Sequence, residues 1–202
     1  MKRLLTLLAL TALLCSCQPK ADRAAALISQ QFSAADNYTP VSTVVTKAKA
    51  SIYNDATTLA EAQQALSVYN QSKTMTAQAV EAKQLMDALG TPAKGSKEYQ
   101  TYQTYRQQYL EKTAEAIIYW ETLKPSLNLL REANENLNPR QTIGWEVLHS
   151  YTTQSADGST TTSTTRYIVD KDFQQILLSE PADTESYTTL REFITTSLHP
   201  VE

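Results

Sequence analysis

At Asn138-Pro139 the spacing of apolar residues changes from a helical period to a period of two. A chain built that way must pack helices first and a sheet afterwards, which limits it to the α+β class. Before the switch, Ala24, Leu27, Ile28, Phe32 and Ala35 share one face of a short helix that Asp36-Asn37-Tyr38 ends. Thr39 with Pro40 at the first helical position, followed by Val41, Val44, Val45, Ala48 and Ile52, predicts a second helix. Its β-branched side chains lower its intrinsic propensity, so packing must hold it.

A capping box, Thr58-Leu59-Ala60-Glu61, opens a third helix that runs to Leu89 and stops at Gly90-Thr91-Pro92. No Gly or Pro interrupts it, so it is expected to be continuous, although its apolar residues shift around the axis near Asn70–Thr74. Ser96 caps a fourth helix whose face holds Tyr99, Tyr102, Tyr105, Tyr109, Ala116, Ile117, Trp120, Leu123 and Leu127. Four tyrosines at this spacing read as a core stripe, and a ligand platform is the alternative. Pro125 is expected to kink or restart this helix after Lys124.

After the switch, Trp145, Val147, His149 and Tyr151 alternate with Glu146, Leu148 and Ser150, as in a strand. Asp157-Gly158 supplies a turn, and the Thr-rich return leads into Tyr167-Ile168-Val169. A second turn at Asp170-Lys171-Asp172 precedes a strand from Phe173 to Leu178, and Glu185 to Leu198 reads as a helix able to cover the sheet. The expected fold is therefore an N-terminal antiparallel helical bundle over 23–138. A small antiparallel β meander with a C-terminal helix follows over 142–202, packed on the bundle.

The chain opens with Met1-Lys2-Arg3, an apolar run from Leu4 to Leu14, and Cys15-Ser16-Cys17-Gln18. A basic start and an apolar segment too short to span a bilayer make an export signal over 1–16. Leu14-Cys15-Ser16-Cys17 resembles the lipobox of bacterial lipoproteins, in which a small residue precedes the Cys that receives the lipid. Ser16 fits that position, so the resemblance implies lipidation at Cys17, with 17–22 as a tether. It also implies a cell-envelope location. Gln18-Pro19-Lys20 lacks an Asp after the Cys, which favours the outer membrane over the inner. Cys15 then leaves with the signal and Cys17 is consumed, so no thiol remains for disulfide, catalysis or zinc.

Loss of Lys2 and Arg3 leaves 16 basic against 21 acidic side chains, a net charge of −5 that excludes a nucleic-acid signature. The imbalance is concentrated after Arg140, where 3 basic residues face 9 acidic ones. No metal site or cofactor is expected: His149 and His199 stand without ligand spacing, and no phosphate loop or nucleophile elbow is present. Glu111 and Glu115, one turn apart beside Lys112, fit a solvated helix surface better than an acid/base pair. All four glycines read as caps or turns.

The expectation that follows is a non-catalytic structural or interaction module held to a membrane by its lipid and docking an envelope protein. The alternative is a ligand-binding lipoprotein with an aromatic pocket formed by Tyr99, Tyr102, Tyr105 and Tyr109 against the sheet, with Trp120 nearby. Catalysis would require His149 or a carboxylate buried in a cleft with a shifted titration.

Overall fold

A computed structural model describes residues 19–33, 37–155, 157–182 and 184–198. The signal 1–16, Cys17, Ala35, Asp36 and His199 lie outside the described residues. In chain order the elements are α1 (Lys20–Ser29), β1 (Thr39–Lys49), a 3₁₀ turn (Ile52–Asn54), α2 (Ala56–Ala88), α3 (Lys97–Asn136), β2 (Thr142–Gln154), β3 (Thr160–Val169), β4 (Ile176–Pro181) and α4 (Glu185–Leu198). The chain is α+β, and its described residues form one antiparallel sheet in the order β1-β2-β3-β4. No helix among the described residues is long and apolar enough to cross a membrane.

The expected second helix is instead β1, so a strand interrupts the helical region expected over 23–138 and the meander has a fourth strand on its edge. Val41-Ser42-Thr43-Val44-Val45-Thr46 carries five β-branched residues of six, which suit a pleated surface better than a helix. Pro40 is tolerated because β1 is an edge strand and a register shift separates Pro40 from Ser42. Once in register, Thr43 faces His149 and Val45 faces Val147 across the β1–β2 pair. The third meander strand begins at Ile176 rather than Phe173. Phe173 instead sits in the turn with φ +56, its ring stacked 5.8 Å from Trp145.

One sheet face carries Val147, Tyr167 and Val169, and α1 lays Ala24 and Ile28 on it with Phe173 to form a buried core. Gly144 lies within β2 rather than at a turn or cap, which corrects the expectation for this glycine. A Cβ there would stand 1.9 Å from the Val169 carbonyl oxygen, so β3 can approach only because the side chain is missing. On the other face Arg166 is buried and donates to Glu146 at 2.7 Å and to Glu180 at 2.8 Å. It also donates to the Tyr53 carbonyl and to Asn54 Oδ1, while Arg191 of α4 donates to Glu180 at 2.9 Å.

The chain divides into two compact units, residues up to Ala56 with Asn136–Arg191, and Thr57–Glu135 with Glu192–Glu202. The division therefore differs from the single boundary expected near 138–142, because β1 belongs with the sheet. In the second unit α2 and α3 are antiparallel: Ser72 Oγ donates to the Ala116 carbonyl at 3.3 Å, and Tyr109 lies beside Lys83. Their 33 and 40 residues make rods of about 50 and 60 Å. Within this unit Tyr69 meets Phe193 at 5.5 Å, and Arg131 donates to the Ser197 carbonyl.

α2 is continuous as expected, starting two residues before the Thr58 capping box. α3 also continues through Pro125, so of the expected kink or restart the restart does not occur. Burial of Leu123, Leu127 and Leu130 on both sides of the proline offsets the one lost hydrogen bond.

Candidate functional site

The α2–α3 seam is built from small side chains. Ser72, Ala79 and Ala82 are the buried residues along the outer part of α2, so the helices meet closely and leave a shallow floor. Larger side chains flank that floor, and the result is an open-sided groove of about 620 Å³. The buried and half-buried Ser72, Ala79, Thr113 and Ala116 form the bottom, with Thr76, Val80, Tyr109, Ile117 and Trp120 as walls. Ile117 is 57% exposed and Trp120 44%.

Charge is confined to the ends of the groove. Lys83 donates to Asp87 at 2.6 Å at one end, and this partner holds the Lys83 ammonium above the usual lysine range. Glu121 sits at the other end and accepts from Lys124 at 2.6 Å. The walls between them offer apolar contact and hydroxyls. A second, smaller cavity of about 350 Å³ is lined by Gln78, Glu81, Ala82, Leu85, Gln108 and Lys112.

Of the tyrosine stripe, Tyr109 and Trp120 line the groove, while Tyr99, Tyr102 and Tyr105 line neither cavity. All four tyrosines are half-buried rather than core residues. The fully packed face of α3 is Leu123, Leu127 and Leu130. The groove walls come from two helices and include no sheet residue. Spacing puts Ile117 and Trp120 on one face with the tyrosines, and Trp120 among the candidate contacts, but does not by itself bring Ala79 and Val80 of α2 into a groove with them. The available signal was the recurrence of small residues at Ala65, Ser72 and Ala79, seven apart, which marks a close helix seam.

His149 is buried in the sheet core at 0% exposure. Its Nε2 is 2.6 Å from the Tyr38 hydroxyl and its Nδ1 2.9 Å from Thr43 Oγ1. A neutral imidazole donates from one nitrogen and accepts at the other, and the two hydroxyls satisfy both. Burial pushes the His149 pKa down, favouring that neutral form. Phe32 stacks on Tyr38 at 4.3 Å and meets Tyr151 edge-on at 4.8 Å, closing an aromatic shell around the ring. His149 is thus buried with a shifted titration, but it lines neither cavity described above.

Glu111 accepts from Gln107 and Glu115 pairs with Lys112 at 2.8 Å, each on the solvent side of α3. Among the described residues, no three His, Cys, Asp or Glu stand close enough to hold a metal ion. Comparison of the chain with protein-family models, with curated proteins and with solved structures gives no match.

Proposed function

We propose that this chain is a lipid-anchored, non-catalytic interaction module of the bacterial cell envelope, whose α2–α3 groove receives a protein partner. The observation that carries the reading is the open groove walled by Val80, Ile117 and Trp120, apolar along its length and charged only at its ends. Lipidation at Cys17 is proposed on the lipobox resemblance of Leu14-Cys15-Ser16-Cys17, and outer-membrane residence on the Gln18-Pro19 that follows.

Magnitudes favour a contact that depends on the anchor. Covering the exposed halves of three such side chains contributes about 1 kcal/mol each, which is less than the several kcal/mol of freedom lost when two proteins associate. Confinement to one membrane raises the effective concentration and makes so modest a surface sufficient.

A photoreactive amino acid at Ile117 should form a discrete adduct in living cells, whereas the same group at exposed Gln107 should not. Val80→Glu should remove the adduct. Equal adducts at both positions, or none, would count against the groove as the docking site.

The groove volume supports a second reading, binding of a small amphipathic ligand. About 620 Å³ with aromatic walls falls in the range of ligand sites, although the open side leaves much of a ligand wet. A saturable thermal shift that disappears in Trp120→Ala, without any Ile117 adduct, would favour this reading over docking.

A further inference from the structure

The sheet unit has its own polarity. α1 starts at the end of the sheet where β1 finishes, β2 begins and β3 turns into β4. There Lys20 Nζ stands 3.7 Å above the Trp145 ring, and Arg23 stands 4.8 Å above Phe173 and donates to the Asp172 carbonyl. The β1–β2 register puts Lys47 opposite Trp145, and Lys49 donates to the Arg140 carbonyl and to Thr142 at the same end. Lys171 lies in the adjoining turn, where its carbonyl accepts from the Trp145 indole at 3.0 Å.

Among the described residues of this unit the remaining bases are Arg166 and Arg191, both engaged with buried Glu180. Every base outside that buried network therefore gathers at one end. Asp22, Asp55, Asp170 and Asp172 are also there, so with Arg140 included six bases face four acids at this end. The turns at the opposite end hold Asp157 and Glu185 and no base among the described residues. The unit is positive at the α1 start and negative at the far end.

The tether gives this polarity an occupant. Two residues, Gln18 and Pro19, separate Cys17 from Lys20, the first residue of α1. Three Cα steps reach about 11 Å at most, so a lipid on Cys17 would hold the α1 start within headgroup range. We propose that the Lys20–Arg23–Lys47–Lys171 end of the sheet, with the half-buried Trp145 beneath it, seats directly on anionic phospholipid headgroups. The acidic far end then points away from the membrane. The proposal rests on the lipid anchor at Cys17 and adds an orientation that the anchor alone does not require. Basic side chains are drawn to an anionic surface, and amphipathic aromatics favour the headgroup layer.

With Cys15 removed and Cys17 acylated, an engineered cysteine is the sole thiol and can carry an environment-sensitive dye. Exposed Gln174→Cys places it at the basic end, and exposed Ser159→Cys at the acidic end. The lipidated protein is reconstituted into phosphatidylglycerol-containing vesicles and, separately, into neutral phosphatidylcholine vesicles. The expected result is a dye at Gln174 about twofold brighter on the anionic surface, unchanged at Ser159, with the gain lost in high salt and in Lys47→Glu/Lys171→Glu. Equal brightness at Gln174 on both surfaces, with the acyl mass present on Cys17, would overturn the seating and leave the anchor standing. An unacylated Cys17 by intact mass would overturn both.

Discussion

Gly144 and His149 show how much of the sheet rests on single positions. A methyl group at Gly144 would collide with backbone, which cannot rotate away, so Gly144→Ala should cost about 1–3 kcal/mol, read as a lower urea midpoint. His149 gives stability a pH dependence of definite sign. Its pKa is lowered in the folded chain, so between that value and the unfolded value near about 6.5 the unfolded chain binds more protons. Its contribution is complete above about pH 6.5 and falls as the pH drops through the lowered value. Urea midpoints measured from pH 8 down to about pH 5 should decline, and His149→Gln should flatten that decline relative to the parent protein. A parallel slope in the variant would show that other groups carry it. The partners of His149 were not legible in the sequence. Alternation in β2 shows its inward side, but Tyr38 and Thr43 come from 106 residues or more away and meet it only through the β1 pairing.

At the scale of elements, the strongly periodic segments were legible. α2, α4 and the β2–β3 hairpin with its Asp157-Gly158 turn follow directly from spacing and turn chemistry. β1 was not, because Val41, Val44, Val45, Ala48 and Ile52 satisfy a helical template by coincidence. The deciding term was the β-branched run, whose preference prevails once β2 offers a partner edge. Pro125 illustrates the opposite conflict, in which three buried leucines keep a helix whole across a residue that removes a hydrogen bond. The ion network on the second sheet face is an element-level device, joining β2, β3, β4, α4 and the turn before α2 around Arg166. Glu180 is nearly buried and bridges two arginines, whereas Glu146 is partly in water. Glu180→Ala should therefore cost about 3–5 kcal/mol, and Glu146→Ala about 1 kcal/mol or less, by chemical denaturation. Equal losses would mean that the network is not divided by burial.

For the whole molecule, the acidic excess after Arg140 was visible in the sequence, but its meaning was not. Folding returns Lys20, Arg23, Lys47 and Lys49 to the sheet unit and gathers them at one end, so an apparently acidic half becomes a polarised body. The groove was half legible. Tyr109 and Trp120 belonged to the stripe singled out by spacing, while the small-residue seam opposite them on α2 determines that a groove exists at all. Ile117→Glu and Val80→Glu lie on exposed walls and should leave the thermal midpoint within about 2–4 °C of the parent protein. A docking defect in these variants can then be separated from misfolding.

Anchor, groove and seating all depend on attachment at Cys17. The most direct measurement is metabolic labelling with a clickable fatty acid, followed by fractionation of membranes. The wild-type chain should carry the label and sediment with membranes, and Cys17→Ala should lose the label and leave the mature domain in the soluble fraction. A wild-type chain without label, or a Cys17→Ala chain that keeps it, would contradict attachment at Cys17.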